Sequence, residues 1–270
     1  MYKPKIVVCG CTKNSGSYIK SHLDKVYSIK SISSDFQMVI FENDSTDNTK
    51  KVLKNFQSTH NNVHMIFDTL KDKIKISSNV IKPFCPYVKK PLNIAFARNI
   101  LLDYVEKHYS NFDFMIMIDL DSVVKNFKPQ HIKSVLEKYK NSSWDVLTAN
   151  SDTKYYDIWA LRIYPNIWDN NLHGKLWKGP IDYDCWVMKN INDSVYGNKV
   201  NIPSDFPLIP VTSAFGGLGI YKIPSILGSR YSAEFDQSLT CEHVHFHDQI
   251  IKKGGKIFIC PDLIVRSQCI

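Results

Sequence analysis

Long hydrophobic runs are missing from this sequence of 270 residues. No apolar stretch reaches the roughly 20 residues that a membrane-spanning helix needs. The amino terminus, Met1–Lys5, leads straight into a short apolar segment and shows no signal-peptide pattern. We therefore expect no transmembrane segment, no signal peptide and a cytoplasmic location.

Paired cysteines are also missing. The chain has seven Cys, an odd number, and none of them forms a C-x-x-C pair. This composition argues against a disulfide framework and against a thiolate zinc site. Cys9, Cys11 and Cys260 stand in apolar segments, which predicts that they serve as small core residues. A reducing compartment fits these features best.

The sequence has no basic stripe interleaved with aromatic residues, the pattern typical of a nucleic-acid-binding surface. Its formal charge of +8 comes from Lys scattered over many segments. A solvated, Lys-rich surface explains this charge better than attraction to phosphates, membranes or nucleic acid. We expect no nucleic-acid partner.

What the chain does contain is an alternation of strand and helix patterns, with 44% hydrophobic residues. Predicted strands cover 5–11, 36–41, 63–67, 112–120, 144–149, 211–221 and 256–260. Predicted helices cover 17–32, 49–57, 93–108, 129–139 and 241–254. The order predicts an α/β fold around a mainly parallel sheet. We expect residues from Pro261 onward to form a tail.

Two carboxylates follow the most apolar predicted strand. The run Phe114–Ile118 leads into Asp119 and Asp121, which one residue separates. If the strand continues through them, both side chains point the same way and repel each other unless a cation lies between them. Mn²⁺ or Mg²⁺ would suit these oxygen ligands, and a diphosphate would complete the coordination. The alternative is a polar strand end that runs into a turn.

Several segments together resemble the GT-A glycosyltransferases. Val39–Thr49 resembles their "D-D-G-S-T-D-x-T" turn, and Ile118–Asp121 resembles their DxD motif. Phe215–Gly217 resembles the acceptor-side strand, and Glu242–His243 with the later Gly254–Pro261 resembles the "E-D … G-x-x-I … P" ending. These matches occur in the expected order over nearly the whole chain.

The particular form of the motifs is similar to the fungal capsule-associated α-1,3-mannosyltransferase family and its viral and bacterial relatives. It includes Ala97–Asn99 and Tyr156–Arg162. The resemblance implies a single Rossmann-like GT-A domain with a mixed, mainly parallel sheet. Residues 1–125 would bind the nucleotide sugar, and residues 126–270 would bind the acceptor. The implied activity transfers a sugar from a UDP- or GDP-linked donor to a hydroxyl acceptor, such as a glycan.

The resemblance also implies a set of site residues. Those expected at the donor are Thr12, Asn14, Glu42, Asp44, Arg98, Asp119, Gly216 and Gly217. The metal ligands would be Asp119, Asp121 and His245, and the acceptor's proton would go to Glu242 or His243. Arg98 would add a fixed positive charge beside the diphosphate. His243 stands where many inverting members have the Asp base, so the base and the stereochemistry stay open.

Two other functions compete with this interpretation. A sugar nucleotidyltransferase would show a Gly-rich phosphate loop, yet Cys9–Gly16 contains only two Gly. A carbohydrate- or nucleotide-binding module without catalysis is the second alternative. The aromatic stretch that contains Trp159, Trp168, Trp177 and Trp186 would either line a sugar site or form a satellite core.

Overall fold

The computed structural model describes residues 3–70, 89–185, 190–235 and 238–266, so Trp186 of the aromatic stretch lies outside the described residues. The described strands are β1 (Lys5–Thr12), β2 (Asp35–Asn43), β3 (Val63–Asp68), β4 (Phe114–Ile118), β5 (Val146–Ser151), β6 (Ile209–Val211), β7 (Leu218–Lys222), β8 (Glu234–Phe235), β9 (Ser238–Leu239) and β10 (Ile257–Val265). The described α-helices are α1 (Ile19–Tyr27), α2 (Thr49–Ser58), α3 (Lys89–Tyr109), α4 (Pro129–Lys138), α5 (Ile191–Ser194), α6 (Ile223–Ile226) and α7 (Glu242–Lys252).

Eight of the described strands form one mixed sheet in the order β3-β2-β1-β4-β7-β5-β10-β6. The first four strands run parallel to one another, and so do β5 and β10. Strand β7 lies antiparallel between β4 and β5, and β6 pairs antiparallel with β10. The predicted α/β fold with a mixed, mainly parallel sheet is therefore confirmed.

Helices cover both faces of the sheet because the side chains of its strands alternate. One core contains Leu23 of α1, Leu53 of α2 and Ile132 of α4. The opposite core contains Leu101 of α3 and Ile250 of α7. Helix α1, which follows β1, and helix α3, which precedes β4, lie on opposite faces. In such sheets ligands bind at the carboxyl ends of the two neighbouring strands where this change occurs.

Helix α3 is 21 residues long. It lies between β3 and β4 in the chain and packs across the face of the sheet. It buries Ala97, Leu101 and Val105 in the core, as its predicted apolar positions require. The same helix buries Arg98, which points toward the carboxyl end of β4. Across the described ranges, no helix combines the length and the apolar character needed to cross a membrane.

Two predicted elements differ from the structure: the strand that contains the glycine pair, and the tail predicted from Pro261 onward. The predicted strand 211–221 is split, because Gly216 and Gly217 adopt φ values of 66° and 86° that a strand cannot accommodate. Strand β10 continues past Pro261 where a tail was predicted. A register shift between Cys260 and Ile264 absorbs the proline, which cannot donate to a regular ladder.

Candidate active site

Two turns at the carboxyl ends of β1 and β2 are joined by hydrogen bonds, and we call this contact the clasp. The backbone N–H of Asn14 donates to Ser45 Oγ at 2.9 Å, and Asn14 Oδ1 accepts from the Thr46 N–H at 2.8 Å. The N–H of Gly16 donates to Asp47 Oδ2 at 2.9 Å. Any side chain at Gly16 would collide with Asn48, so the close approach of the turns requires glycine.

This clasp uses groups that the sequence assigned to the nucleotide. Thr12 is buried, and its hydroxyl is hydrogen-bonded to Ser15. Both the N–H and Oδ1 of Asn14 are bonded to the opposite turn. Asp44 has φ 53°, and its Oδ2 accepts from the Leu70 N–H at 3.1 Å. These contacts show the predicted donor-binding residues organising the turns.

Glu42 lies beneath the second turn. Its side chain is fully buried, and Oε1 accepts from the Ser45 N–H at 2.8 Å. Lys50 Nζ is 3.7 Å from Oε2, which has no hydrogen-bond partner among the described residues. In this position Glu42 supports the turn from below and has no surface that a nucleotide would reach.

The two carboxylates after β4 leave the strand in different ways. The strand ends at Ile118, and the Asp119 N–H donates to the Gly217 carbonyl at 2.9 Å. Asp121 caps the 3₁₀ helix Ser122–Asn126, because its Oδ1 accepts from the Val123 N–H at 3.0 Å. Strand alternation therefore does not align the two Asp side chains. Both are half-exposed at the carboxyl edge of the sheet.

Arg98 is the buried cation of this site. Its Nη2 lies 3.0 Å from Asp119 Oδ1, and its Nη1 donates to Glu242 and to His243 Nε2. The guanidinium carbon lies 4.7 Å from the centre of the Phe215 ring. Three of the five guanidinium N–H donors of Arg98 are thus bound to protein groups, and its predicted position beside a diphosphate stays a prediction.

Glu242 and His243 begin α7 and are both buried. A guanidinium only donates hydrogen bonds, so His243 Nε2 accepts from Arg98 and the ring proton lies on Nδ1. Burial, the Arg98 charge and the neighbouring His247 lower the pKa of His243 well below its usual range. Its Nδ1 has no hydrogen-bond partner among the described residues. Glu242 Oε1 accepts from Arg98 and its Oε2 accepts from the Cys241 thiol at 3.7 Å, so neither residue presents a free basic atom to an acceptor.

The turn Phe215–Gly217 connects these groups. Phe215 stacks on the His243 ring, with the ring centres 4.0 Å apart. The Gly216 N–H donates to Asp157 Oδ2 at 2.9 Å, and the Gly217 carbonyl binds the Asp119 N–H. The left-handed backbone of the glycine pair thus holds Asp119 and Asp157 on one turn. Both glycines support the site through their backbone atoms.

Negative charge exceeds positive charge at this site. Burial raises the pKa of Asp119 to about 7; Arg98 opposes the shift, and Asp121, Asp157 and Glu242 add to it. The Asp119 side chain is 34% exposed, so solvent weakens these interactions. Burial also raises the pKa of Asp157, which the Gly216 N–H counteracts. The site thus contains four carboxylates and one arginine.

The histidines of α7 do not complete a metal site. His245 Nδ1 lies 3.2 Å from Gln249 Nε2 on the same helix. His247 is fully buried, with Nδ1 3.0 Å from Ser213 Oγ and Nε2 3.2 Å from the Tyr221 hydroxyl. Within the described ranges, no cluster of three or more His, Cys, Asp or Glu side chains is arranged to hold a metal ion. The predicted set of Asp119, Asp121 and His245 is therefore not assembled here.

Asp157 is the site residue that the sequence reasoning missed. It belongs to the segment Tyr156–Arg162, which was noted only as part of the family resemblance. Its position depends on contacts with Gly216, 59 residues later in the chain. The one local signal for a site residue here was a carboxylate that lies between Tyr156 and Trp159 in the sequence.

The aromatic stretch packs into the sheet core that also contains residues of α3 and α7. Trp177 is only 3% exposed and belongs to the same core as Tyr155. Trp159 and Trp168 are partly buried against that core, and Trp168 stacks on His173 with ring centres 5.4 Å apart. The described tryptophans therefore extend the sheet core, and they form neither a separate satellite core nor a row of exposed rings.

No protein-family model and no curated protein matches this sequence. Solved structures do match its fold. One is the mannosyltransferase PcManGT from Pyrobaculum calidifontis in complex with GDP-Man and Mn²⁺, with TM-score 0.53, 13% identity, and coverage of 99% of this chain and 57% of that one. Another is S. aureus TarS 1-349 in complex with UDP-GlcNAc, with TM-score 0.51, 13% identity, and coverage of 97% and 57%.

A longer S. aureus TarS structure gives TM-score 0.55 at 13% identity, and the match covers 98% of this chain but 37% of that one. The chain thus spans less than two thirds of the length of these structures. At such identities the likeness concerns the fold alone, and the resemblance to the fungal capsule-associated family stays a prediction. Together with the mixed eight-stranded sheet, these matches show that the chain has the GT-A fold.

Proposed function

We propose that the protein is a metal-dependent glycosyltransferase that moves a sugar from a UDP- or GDP-linked donor to a hydroxyl acceptor, such as a glycan. The observation that carries the proposal is the group of Asp119, Asp121, Asp157 and Glu242 around Arg98. It stands at the carboxyl end of β4, beside the clasped turns that follow β1 and β2. In open α/β sheets this edge is where nucleotides bind.

The carboxylates fit a divalent cation of the Mn²⁺ or Mg²⁺ type. Asp121 and Asp119 offer hard oxygen ligands, and the charge of Asp121 raises the pKa of Asp119. Such ions are commonly held by one or two carboxylates and by substrate phosphates and water, so no third protein ligand is required. When bound, the ion would stabilise negative charge on the departing diphosphate.

Different groups of the protein would position the carboxylates, bind the donor and bind the acceptor. Arg98 holds Asp119 and Glu242 in place through two ion pairs, of which the pair with Glu242 is buried. The clasped turns around Asn14 and Asp47 would shape the nucleotide side, and the assignment of residues 1–125 to the donor remains part of the proposal. The other half, residues 126–270, supplies Asp157 and the turn that holds it, and would face the acceptor.

The donor's identity is best tested by nucleotide-sugar binding. The PcManGT structure contains GDP-Man and the TarS structure contains UDP-GlcNAc, so both nucleotides belong in the screen. A ligand that binds only the native state raises the apparent unfolding temperature. We expect at least one donor to raise it in the presence of Mn²⁺ but not with EDTA.

The metal assignment is tested with Asp121→Ala. We expect this variant to lose Mn²⁺-dependent nucleotide release and the Mn²⁺-dependent thermal shift while its circular dichroism spectrum stays native. The matched control is Asp205→Ala, an exposed residue of the second half. Full activity of the Asp121→Ala variant would contradict the metal assignment. Pyrophosphate release from a nucleoside triphosphate and a sugar phosphate would instead identify a nucleotidyltransferase.

A further inference from the structure

The acceptor's proton needs a base, and the residues that begin α7 are already bound. Arg98 Nη1 donates to both Glu242 Oε1 and His243 Nε2. Glu242 is 6% exposed and His243 is 1% exposed. Proton transfer requires a free basic atom within hydrogen-bond reach of the acceptor hydroxyl. In this structure neither residue meets that requirement.

Asp157 meets it better than any other carboxylate of the site. Asp119 is paired with Arg98, and Asp121 caps a 3₁₀ helix at the predicted metal position. Among the described residues, no Lys, Arg or His side chain forms an ion pair with Asp157, whose partners are the backbone N–H groups of Gly216 and Ala160. A carboxylate accepts about four hydrogen bonds, so acceptor capacity remains.

The location of Asp157 also fits the role. The residue is partly exposed, whereas Glu242 and His243 are buried. The Gly216–Gly217 turn binds Asp157 through one peptide N–H and Asp119 through the next residue's carbonyl. The same turn thus holds Asp157 close to Asp119, on the half of the chain expected to bind the acceptor.

From this geometry we infer that Asp157 is the catalytic base of the proposed transfer. Its carboxylate takes the proton of the acceptor hydroxyl as that oxygen attacks the anomeric carbon. The bond between the anomeric carbon and the diphosphate oxygen breaks, and the nucleoside diphosphate leaves with the electron pair. Attack opposite the leaving group inverts the configuration at the anomeric carbon. This inference rests on the proposed function.

The test compares Asp157→Asn and Asp157→Ala with the wild type, using Mn²⁺ and the donor with the largest thermal shift among UDP-glucose, UDP-GlcNAc and GDP-mannose. Asparagine keeps a carbonyl oxygen that can accept from the Gly216 N–H but cannot take a proton. We expect kcat for nucleotide release to fall about 10²- to 10⁴-fold, with the KM for donor within threefold. Formate, a small carboxylate, is expected to restore at least tenfold activity to Asp157→Ala.

The outcomes separate this inference from the proposed function. Nucleotide release by Asp157→Asn at more than a third of the wild-type rate would overturn the assignment of the base and leave the transferase proposal intact. So would a product that keeps the donor's anomeric configuration, or an Asp157→Ala variant that formate does not rescue. If the wild type turns over none of the donors, the proposed function fails and the assignment of Asp157 fails with it. Asp205→Asn, an exposed surface change, is the matched control.

Discussion

Arg98 and Asp119 form an ion pair, with 3.0 Å between Nη2 and Oδ1, that joins helix α3 to the carboxyl end of β4. The same guanidinium binds Glu242 at the start of α7 and packs on Phe215. One buried cation thus ties together three elements that are far apart in the sequence. The side chains of Arg98 and Glu242 are 6% and 7% exposed, so removal of Arg98 would leave a buried carboxylate without its ion-pair partner.

Replacement of Arg98 by Met is expected to lower the free energy of unfolding by about 3–5 kcal/mol, the usual cost of breaking a buried ion pair by removal of one partner. Urea denaturation measures this change. Adding Glu242→Gln should recover part of the loss, because the second change removes the unpaired charge.

The control for this prediction is Arg230→Met. Arg230 is paired with Asp103 and Glu106, but its side chain is 37% exposed. Exposed pairs contribute about 0–1 kcal/mol. Equal losses for Arg98→Met and Arg230→Met would show that burial of the Arg98 network contributes nothing to stability.

The glycine pair offers a test of how the backbone positions the carboxylates. Gly216 has φ 66°, and a Cβ atom at this position would overlap the Ala149 carbonyl. We expect Gly216→Ala to cost at least about 3 kcal/mol, from about 1–2 for the left-handed backbone and the rest from steric overlap. Thermal or urea denaturation measures the loss.

Gly228 is a matched control for the same substitution. Its φ is 72°, and a Cβ atom there would meet nothing within 4 Å. Gly228→Ala should therefore cost only the backbone contribution, about 1–2 kcal/mol. If the two alanine variants lose equal stability, the crowding around Gly216 is not what holds this turn in place.

Much of the fold could be predicted because local patterns determine it. The apolar run Phe114–Ile118 forms a central strand, and the apolar spacing of Leu101 and Val105 identifies the buried face of α3. Gly254 was correctly predicted to end α7, where φ 86° favours glycine. Such signals lie within a few residues of the structure they specify.

The roles within the site could not be predicted in the same way, because they depend on long-range contacts. The partners of Arg98 lie 21, 144 and 145 residues away in sequence, and nothing near Arg98 indicates that they use its charge. Asp157 likewise depends on the Gly216 N–H. The sequence therefore identified the motif positions, but it did not indicate which of their side-chain atoms are already hydrogen-bonded to other protein groups.

Acid is expected to destabilise the protein through its buried histidines. Burial and the Arg98 charge lower the pKa of His247 to about 3, whereas a histidine in an unfolded chain titrates near 6.5. The unfolded state then binds the extra proton between these values, so stability is full above pH about 6.5 and falls as the pH decreases. His243, whose pKa is also lowered, adds to the effect.

Each such histidine contributes a slope of about 1.4 kcal/mol per pH unit below pH 6.5. Urea denaturation at several pH values between 4.5 and 7.5 measures the slope. His247→Gln removes one titrating group and should make the slope shallower by that amount. An unaltered slope in the His247→Gln variant would contradict the prediction.

Asn14 contributes to the contact between the two turns in two ways: through its side-chain hydrogen bond to Thr46 and through its left-handed backbone conformation. Asn14 has φ 50°, and its Oδ1 accepts from the Thr46 N–H at 2.8 Å. Asn14→Gly removes the hydrogen bond but suits the backbone, so we expect a loss of about 1 kcal/mol. Asn14→Ala also exchanges Asn, which tolerates the left-handed region, for Ala, which does not, and should cost about 2 kcal/mol or more. Urea denaturation of both variants gives the difference. Equal losses would mean that the backbone conformation of Asn14 carries no strain, and two native-like stabilities would mean that the Asn14–Thr46 hydrogen bond is not needed to hold the two turns together.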